Sequence, residues 1–340
     1  VPSLARLDSV STMNAAADHF EAPDRNLALE LVRATEAAAI RAVPWIGKGD
    51  KNAADGAAVD AMRKFLGTVD FEGVVVIGEG EKDNAPMLYN GEVVGTGRGP
   101  RCDIAVDPID GTSLTAAGRS HAISMLAVSD RGTVLDASSV FYMGKLVTGA
   151  AGEGAVSLEL SVGENVRELA RALGKPVGEV VVAVLDRPRH QGIIDEIRSA
   201  GAGTRLILDG DVAGGINAAL DGTRIDMCLG IGGCPEGVAT AAAIKAIGGF
   251  IQGRLAPLDA EERARGEAAG LRMDHIYEAD ELVRGDNSIF VVTGVTDGSL
   301  VRGVERVGGV VHTESLILRA KSGTIRRIQA THLASKWLED

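Results

Sequence analysis

The stretch that decides the fold runs from Asp103 to Ser113 and reads DIAVDPIDGTS. It begins with the apolar residues typical of a buried strand and leads straight into two carboxylates, Asp107 and Asp110. Two like charges at this spacing repel each other and push one carboxyl towards its neutral form, whereas a divalent cation turns the pair into a binding site. The proline between them fixes φ and helps the two side chains to converge. The motif therefore indicates a metal site.

The residues after the second carboxylate indicate a phosphate beside that metal. A glycine and two hydroxyl residues follow Asp110 at the expected start of a helix, where backbone N–H groups are available to an anion. The same residues also fit a plain Pro-Asp turn with a helix cap, because short Asp and Thr side chains favour such positions. The motif alone leaves both interpretations open.

Outward from this motif, the N-terminal half predicts an α+β arrangement. We expect a helix after residue 24 that ends at Pro44, and a second helix that follows GDKNAADG (49–56) and stops at Gly67. Strands are predicted at 74–77 and 103–106, and residues 122–160 are typical of successive antiparallel strands.

The C-terminal half alternates strand-like and helix-like segments. The strand-like segments are EVVVAVLD (179–186), TRLILDGD (204–211) and RIDMCLGIGG (224–233). This pattern predicts a parallel sheet with helices on both faces, and in such sheets ligands bind beyond the carboxyl ends of the strands. The fold class is therefore α/β, and we predict a mobile lead at 1–22, an α+β metal-binding domain at 23–160 and an α/β substrate domain at 161–340.

Composition excludes several classes of function. The chain of 340 residues has a net charge of −12, which argues against binding to nucleic acid or to an anionic membrane surface. No apolar run approaches the roughly 18–20 residues that a membrane-spanning helix needs. The three cysteines are too few and too irregularly spaced for a disulfide framework or a thiolate zinc site, and they predict buried reduced thiols in a cytoplasmic protein.

Other acidic residues at predicted element ends strengthen the metal interpretation. Asp55 and Glu236 lie at expected helix starts, and Glu79 follows the strand at 74–77. Asp55 also fits a helix N-cap, and Glu236 also fits a favourable charge on a helix dipole. Together with the acids of the central motif they offer hard oxygen ligands without any nearby histidine, which favours Mg²⁺ or Mn²⁺ over zinc.

Two features at later strand ends indicate phosphate handling. Arg187 and Arg189 follow the strand at 179–186, and guanidinium groups suit bidentate phosphate contacts, although a solvated basic turn has the same composition. The segment GIGGCPEG (230–237) follows a strand and opens a helix, as an anion-binding loop does. Residues 95–99, GTGRG, do not join a strand to a helix and are interpreted as a turn.

These motifs together resemble the class II fructose-1,6-bisphosphatases. The resemblance runs in order from about Pro23 to the C-terminus over GDKNAADGAAVDAM, VVVIGEGEKDNAPMLYNGE, DIAVDPIDGTS, LDRPRH, DGDVAG, GIGGCPEG and KSGTIRRIQ. The DPIDGT stretch marks the wider lithium-sensitive phosphatase superfamily, which includes the inositol monophosphatases, and the other stretches make the narrower match. Arg187 stands where some members have lysine, which keeps the charge and alters its geometry.

The resemblance implies a layered αβαβα sugar-phosphatase architecture and metal-dependent hydrolysis of fructose 1,6-bisphosphate to fructose 6-phosphate and phosphate. It implies a catalytic role for Thr112, which helps to orient the attacking water, and for Asp110, with Lys51 near the site. The implied metal ligands are Asp55, Glu79, Asp107, Asp110 and Glu236. The implied substrate contacts are Asp110, Gly111, Thr112, Tyr142, Arg187, Pro188, Arg189, Asp209, Gly210, Asp211 and Gly233.

Three alternatives stay open at this point. Two are enzymes of the same superfamily, acting on sedoheptulose 1,7-bisphosphate or on inositol monophosphate. The third is a non-catalytic sugar-phosphate sensor, which the complete set of acidic residues argues against. The expected partner is a small sugar bisphosphate, with no nucleic acid and no membrane, and the expected assembly is a homo-oligomer, either a dimer or a tetramer.

Overall fold

The structure, a computed structural model, describes residues 27–78 and 88–337. The predicted lead at 1–22 lies outside the described residues. The helices are α1 (Leu27–Ala42), α2 (Lys51–Leu66), α3 (Thr112–Ala117), α4 (Val162–Ala172), α5 (Gln191–Ser199), α6 (Val212–Ala219), α7 (Cys234–Ile247), α8 (Ala260–Ala268) and α9 (Ala279–Leu282).

The strands belong to two mixed sheets. They are β1 (Glu72–Ile77), β2 (Val93–Val94), β3 (Arg101–Asp110), β4 (Ile123–Asp130), β5 (Tyr142–Thr148), β6 (Val181–Leu185), β7 (Gly203–Ile207), β8 (Met227–Gly233), β9 (Phe250–Leu255), β10 (Ile276–Glu278), β11 (Ile289–Gly294), β12 (Glu305–Val307), β13 (Val310–Arg319) and β14 (Thr324–Leu333). The first sheet has the order β12-β13-β11-β4-β3-β1-β2, with β14 paired to β13. The second sheet has the order β10-β9-β5-β8-β6-β7.

Three hydrophobic clusters connect these sheets into layers. One cluster packs α1 and α2 on the first sheet, the largest packs α6 and α7 between the two sheets, and another packs α4 and α5 on the far side of the second sheet. Helix α7 is almost entirely apolar, as expected of a helix covered on both sides. The expected αβαβα layering is therefore confirmed.

Strand β3 carries the central motif because of a local break in its pairing. It runs parallel to β1 and antiparallel to β4, and its register with β4 shifts between Asp107 and Asp110. Pro108 lies in this interval and has no N–H to give to the ladder, which explains a bulge at this point. Gly111 then adopts φ 98°, a left-handed conformation that favours glycine, and α3 begins.

Several details of the sequence interpretation are wrong. Helix α2 begins at Lys51, inside GDKNAADG, and its N-cap is Asp50, whose side chain accepts from the N–H of Ala53; Asp55 is not the cap. Strands β4 and β5 do not pair with each other, because β4 joins the first sheet and β5 joins the second. Strands β6, β7 and β8 are parallel as expected, but β5, β9 and β10 are added in antiparallel pairs.

The strand pairing does not divide the chain at residue 160. Strand β5 precedes that point and pairs in the second sheet, and strands β11 to β14 follow it and return to the first sheet. The division into a metal-binding and a substrate domain stays a prediction. Among the described residues, no helix is long and apolar enough to cross a membrane.

Candidate active site

A cleft of about 650 Å³ forms where the ends of strands from both sheets meet. Larger hollows, of about 690, 860 and 980 Å³, lie elsewhere among the described residues and contain none of the predicted site residues. The predicted residues that line the cleft are Asp55, Asp107, Asp110, Gly111, Thr112, Tyr142, Arg187, Arg189, Asp209, Gly210, Asp211, Gly233 and Glu236. The tertiary structure therefore gathers residues that lie up to 181 positions apart, from Asp55 to Glu236.

Asp110 is the more deeply buried of the two carboxylates Asp107 and Asp110, with 5% of its surface exposed. Burial, and after it the negative charges of Glu236, Asp211 and Asp209, raise the pKa of Asp110 well above its usual value. A carboxyl in these surroundings is costly to ionise unless a cation is close by. The geometry thus agrees with a site that needs positive charge from a ligand.

Glu236 lies in the first turn of α7 and is the second buried acid of the cleft. Its Oε2 atom is buried and has no hydrogen-bond partner among the described residues. A β-carbon on Gly233 would lie 1.8 Å from this oxygen, so the glycine makes room for the carboxylate. Burial is the largest influence that raises the pKa of Glu236. A buried carboxylate oxygen without a hydrogen-bond partner is energetically costly. This arrangement is expected where a bound ligand, and not a group of the protein, supplies the partner.

Asp55 projects into the same cleft from α2, one turn beyond the helix start. Burial raises the pKa of Asp55. Lys51 does not line the cleft; its ammonium donates to Oγ of Ser113 at 2.7 Å and so connects the start of α2 with the start of α3. Pro188 also does not line the cleft; it begins a short 3₁₀ turn, Pro188–His190, that includes Arg189.

The described acids do not by themselves complete a metal site. Within residues 27–78 and 88–337, no three carboxylates, imidazoles or thiols are grouped closely enough to hold one metal ion. Glu79, the remaining predicted ligand, lies outside the described residues. Asp107 takes part in an interaction in addition to lining the cleft, so it is not a free carboxylate.

Arg187 and Arg189 are held at the cleft by different contacts. The guanidinium of Arg187 donates to Oδ1 of Asp209 at 2.8 Å, which joins the ends of β6 and β7. Arg189 donates to the carbonyl oxygen of Ile231 from Nη2 at 2.8 Å and lies over the ring of Tyr142, 4.9 Å from its centroid. These contacts orient both cations while leaving Arg189 largely exposed to a ligand.

Lys145 is a charged residue of the site that the sequence interpretation missed. It lies on β5 with 5% of its surface exposed, and its Nζ donates to Oδ1 of Asp211 at 2.7 Å and to the carbonyl oxygen of Gly233 at 3.1 Å. Burial, the largest influence, lowers the pKa of Lys145, but the charges of Asp211 and Glu236 outweigh it and the pKa is raised. A lysine inside the apolar segment MGKLVT was the available signal, because a buried lysine needs an anionic partner.

Gly210 packs directly against Asp110. Its φ is +64°, and a β-carbon there would lie 2.4 Å from Oδ1 of the carboxylate. We expect Gly210→Ala to lower the free energy of unfolding by about 1–3 kcal/mol through backbone strain. We also expect it to reduce kcat, because the buried carboxylate must move.

Gly174→Ala is a matched control for this prediction. Gly174 also has φ +64°, but no atom of the described residues lies within 4 Å of its added β-carbon. Both variants should lose stability in urea unfolding, and Gly210→Ala alone should lose activity in steady-state kinetics. Full activity in Gly210→Ala would mean that the contact with Asp110 is unimportant for turnover.

The chain resembles a well-defined group of bacterial enzymes over nearly its whole length. The family model of bacterial fructose-1,6-bisphosphatase, glpX-encoded, matches residues 25–332. The chain is 46% identical over 321 residues to fructose-1,6-bisphosphatase 1 class 2 of Escherichia coli K12, which covers 91% of this chain and 95% of the relative. The class 2 fructose-1,6-bisphosphatases of Escherichia coli O6:H1 and Shigella flexneri match to the same extent.

Proposed function

The chain belongs to the family of bacterial, glpX-encoded fructose-1,6-bisphosphatases and hydrolyses fructose 1,6-bisphosphate, and on this premise we propose how its cleft performs the reaction. The supporting observation is that carboxylates from the first sheet and guanidinium groups from the second line a single cleft. A bisphosphate can place one phosphate at the carboxylates, where a metal ion would bind, and the other at the guanidinium groups. The products are fructose 6-phosphate and phosphate, released by hydrolysis of the 1-phosphate.

The family is one of metal-dependent phosphatases, and the residues of the cleft fit a divalent metal ion. The available donors are carboxylate oxygens, which suit Mg²⁺ or Mn²⁺, and the buried Oε2 of Glu236 has no hydrogen-bond partner in residues 27–78 and 88–337. When bound, the metal polarises the phosphate and lowers the pKa of a water molecule. We propose as its ligands the acids Asp55, Glu79, Asp107, Asp110 and Glu236.

The side chains after the acidic motif serve the reacting phosphate in this proposal. Thr112 lies directly after Gly111 at the start of α3 and lines the cleft, so its hydroxyl is available to orient the attacking water. Lys51 contributes indirectly, because its hydrogen bond to Ser113 holds the start of α3. The buried Lys145 balances part of the negative charge that Asp211 brings into the cleft.

The phosphate that does not react is held by the arginines. Arg187 and Arg189 offer N–H groups beyond those used by Asp209 and by the carbonyl of Ile231. Tyr142 lies under Arg189 and lines the cleft beside Gly233, its partner across the β5–β8 pair. We propose that these residues, with Gly210, Asp211 and the turn at Pro188, bind the sugar and its distant phosphate.

Phosphate release from fructose 1,6-bisphosphate, measured with Mg²⁺, with Mn²⁺ and with EDTA, tests this proposal. Release that requires metal supports it, and equal release in EDTA contradicts the metal assignment. Sedoheptulose 1,7-bisphosphate and inositol monophosphate serve as comparison substrates for the range of the enzyme. The homo-oligomeric state, a dimer or a tetramer, stays a prediction, and light scattering can check it. The cytoplasmic location also stays a prediction.

Divalent metal is expected to stabilise the protein. The buried acids Asp110 and Glu236 repel each other without a cation, and a metal that binds only the folded state at about 100 times its Kd adds roughly 2.7 kcal/mol. The gain should be larger above the raised pKa values of these acids, because carboxylates bind metal as anions. Thermal unfolding with EDTA, Mg²⁺ and Mn²⁺ at several pH values checks this, and a melting temperature indifferent to metal would contradict it.

A further inference from the structure

His190 is a fully buried residue at the cleft whose role the reaction scheme above leaves open. It has 0% exposure and directly follows Arg189 in the turn after β6. Its Nδ1 lies 2.7 Å from the carbonyl oxygen of Leu185, and its Nε2 lies 2.8 Å from the backbone nitrogen of Ile231. One imidazole ring therefore joins the carboxyl ends of β6 and β8, the two strands that carry the substrate loops.

The hydrogen bonds determine the protonation state of this ring. The backbone N–H of Ile231 can only donate, so Nε2 must accept and carries no proton. The carbonyl of Leu185 can only accept, so Nδ1 carries the proton and donates. An imidazolium, which has N–H at both positions, would lose the bond to Ile231. Burial, the largest influence, lowers the pKa of His190 and agrees with a neutral ring.

The same peptide segment that His190 holds also holds Arg189. The N–H of Ile231 donates to His190, and its carbonyl oxygen accepts from Nε and Nη2 of Arg189 at 3.2 and 2.8 Å. Arg189 is exposed, and its other described contact is the face of Tyr142. The position of the guanidinium therefore depends on a carbonyl whose own residue is fixed by the imidazole.

The backbone beside Ile231 is shaped to the ring. Gly230 has φ +151°, and a β-carbon there would lie 3.2 Å from Nε2 and 3.3 Å from Cε1 of His190. Glycine thus lets β8 approach the imidazole closely enough for the hydrogen bond. A histidine that merely filled space would not require this approach.

We propose that His190, as the neutral Nδ1–H tautomer, is a positioning residue that holds Arg189 in the orientation that binds the non-reacting phosphate. The inference rests on the role of Arg189 in the proposed function. Within the part of the chain that the structure describes, the His190 ring forms hydrogen bonds with Leu185 and Ile231 and with none of the proposed metal ligands. Its loss should therefore weaken substrate binding and spare the chemical step.

Two variants separate the two hydrogen bonds of the ring. In His190→Asn the amide can still donate to Leu185 near the position of Nδ1, but it is too short to reach Ile231. In His190→Gln the longer amide can accept from the N–H of Ile231. We expect His190→Asn to raise KM for fructose 1,6-bisphosphate about tenfold with kcat changed less than about twofold, and His190→Gln to recover most of the loss.

The double variant His190→Asn/Arg189→Ala tests whether His190 acts through Arg189. We expect it to have the KM of Arg189→Ala alone, because residues acting through one contact are not additive. The proposal would be overturned if the increases in KM of His190→Asn and Arg189→Ala multiplied in the double variant. It would also be overturned if His190→Asn and His190→Gln each lowered kcat by as large a factor as they raised KM. A normal KM in His190→Asn beside a raised KM in Arg189→Ala would overturn the inference alone. A normal KM in Arg189→Ala would overturn the role of the arginine and the inference with it.

The tautomer can be measured in the wild-type metal-loaded enzyme, independently of whether the variants fold. Long-range ¹H–¹⁵N spectra of the histidine rings, with the His190 signals identified by their absence in His190→Gln or by selective labelling, should show a protonated Nδ1 and an unprotonated Nε2 at pH 7. A ring protonated at Nε2 would overturn the proposed hydrogen bond to Ile231.

Discussion

Replacing Asp110 by asparagine should lower kcat on the order of 10³-fold and should at the same time stabilise the metal-free protein. The loss of activity follows from the removal of a proposed ligand charge. Metal stabilisation of the developing phosphoryl charge is worth several kcal/mol, and about 4 kcal/mol corresponds to that factor. Asparagine keeps the shape of the side chain, so packing in the cleft should be little changed.

The gain in stability follows from the raised pKa of Asp110. A carboxyl whose pKa is higher in the folded than in the unfolded protein favours folding below its unfolded pKa, and this contribution is lost as the pH rises through the folded pKa. Above the folded pKa the ionised carboxylate therefore destabilises the metal-free fold. Asparagine removes both the buried charge and its repulsion by Glu236 and Asp211.

Steady-state kinetics at saturating Mg²⁺ and Mn²⁺, with thermal unfolding in EDTA, check both halves of this prediction. Asp60→Asn is a suitable control, since Asp60 is exposed on α2 and lies outside the cleft. The control should change neither kcat nor the melting temperature in EDTA. Near-normal kcat in Asp110→Asn at saturating metal would contradict the assignment of Asp110, and a lower melting temperature in EDTA would contradict the account of its burial.

Replacing Arg189 by alanine should raise KM for fructose 1,6-bisphosphate and largely spare kcat. The proposed contact is to the phosphate that does not react, so it should be about equally strong in the ground state and in the transition state. A lost charged hydrogen bond costs about 1.5–3 kcal/mol, or roughly ten- to a hundredfold in kcat/KM. A monophosphate such as glycerol phosphate should be affected little, because it has no second phosphate.

Both substrates should be measured on the same enzyme preparation. Arg171→Ala is a matched control, because Arg171 is an exposed arginine on α4 whose ion pair with Glu168 lies outside the cleft. The control should behave like the wild type with either substrate. Equal losses on both substrates in Arg189→Ala would mean that the arginine serves the reacting phosphate or the fold, and the model of two-ended binding would be wrong.

Local sequence signals were sufficient for most individual elements. The apolar periodicity of α1, the alternation of β6 to β8 with α5 to α7, and the glycine at the end of α2 all appear where the pattern predicts them. These signals are reliable because they depend on neighbouring residues alone: which face is buried, and where the backbone can turn. The start of α2 was misjudged because Asp50 and Asp55 are both plausible caps, and only the observed N–H bond distinguishes them.

The sequence by itself determined the family of the protein, the chemistry of its donors and the order of its motifs. It did not determine which strands pair, because pairing between residues distant in the chain depends on packing that no local pattern records. Thus β5 joins β8 and β9, although it lies among N-terminal strands, and β11 to β14 return to the first sheet.

Only the tertiary structure decided the charge balance of the site and the support of its arginines. In the sequence, Lys145 is one residue of an ordinary strand. Only the fold brings its ammonium into contact with Asp211. In the sequence, His190 is only the residue that ends the segment RPRH. In the fold, Ile231 of β8 lies next to it and donates its N–H to the imidazole. The physical reason is the same in both cases: burial makes an isolated polar group costly, and only the assembled fold supplies the partner that makes its burial favourable.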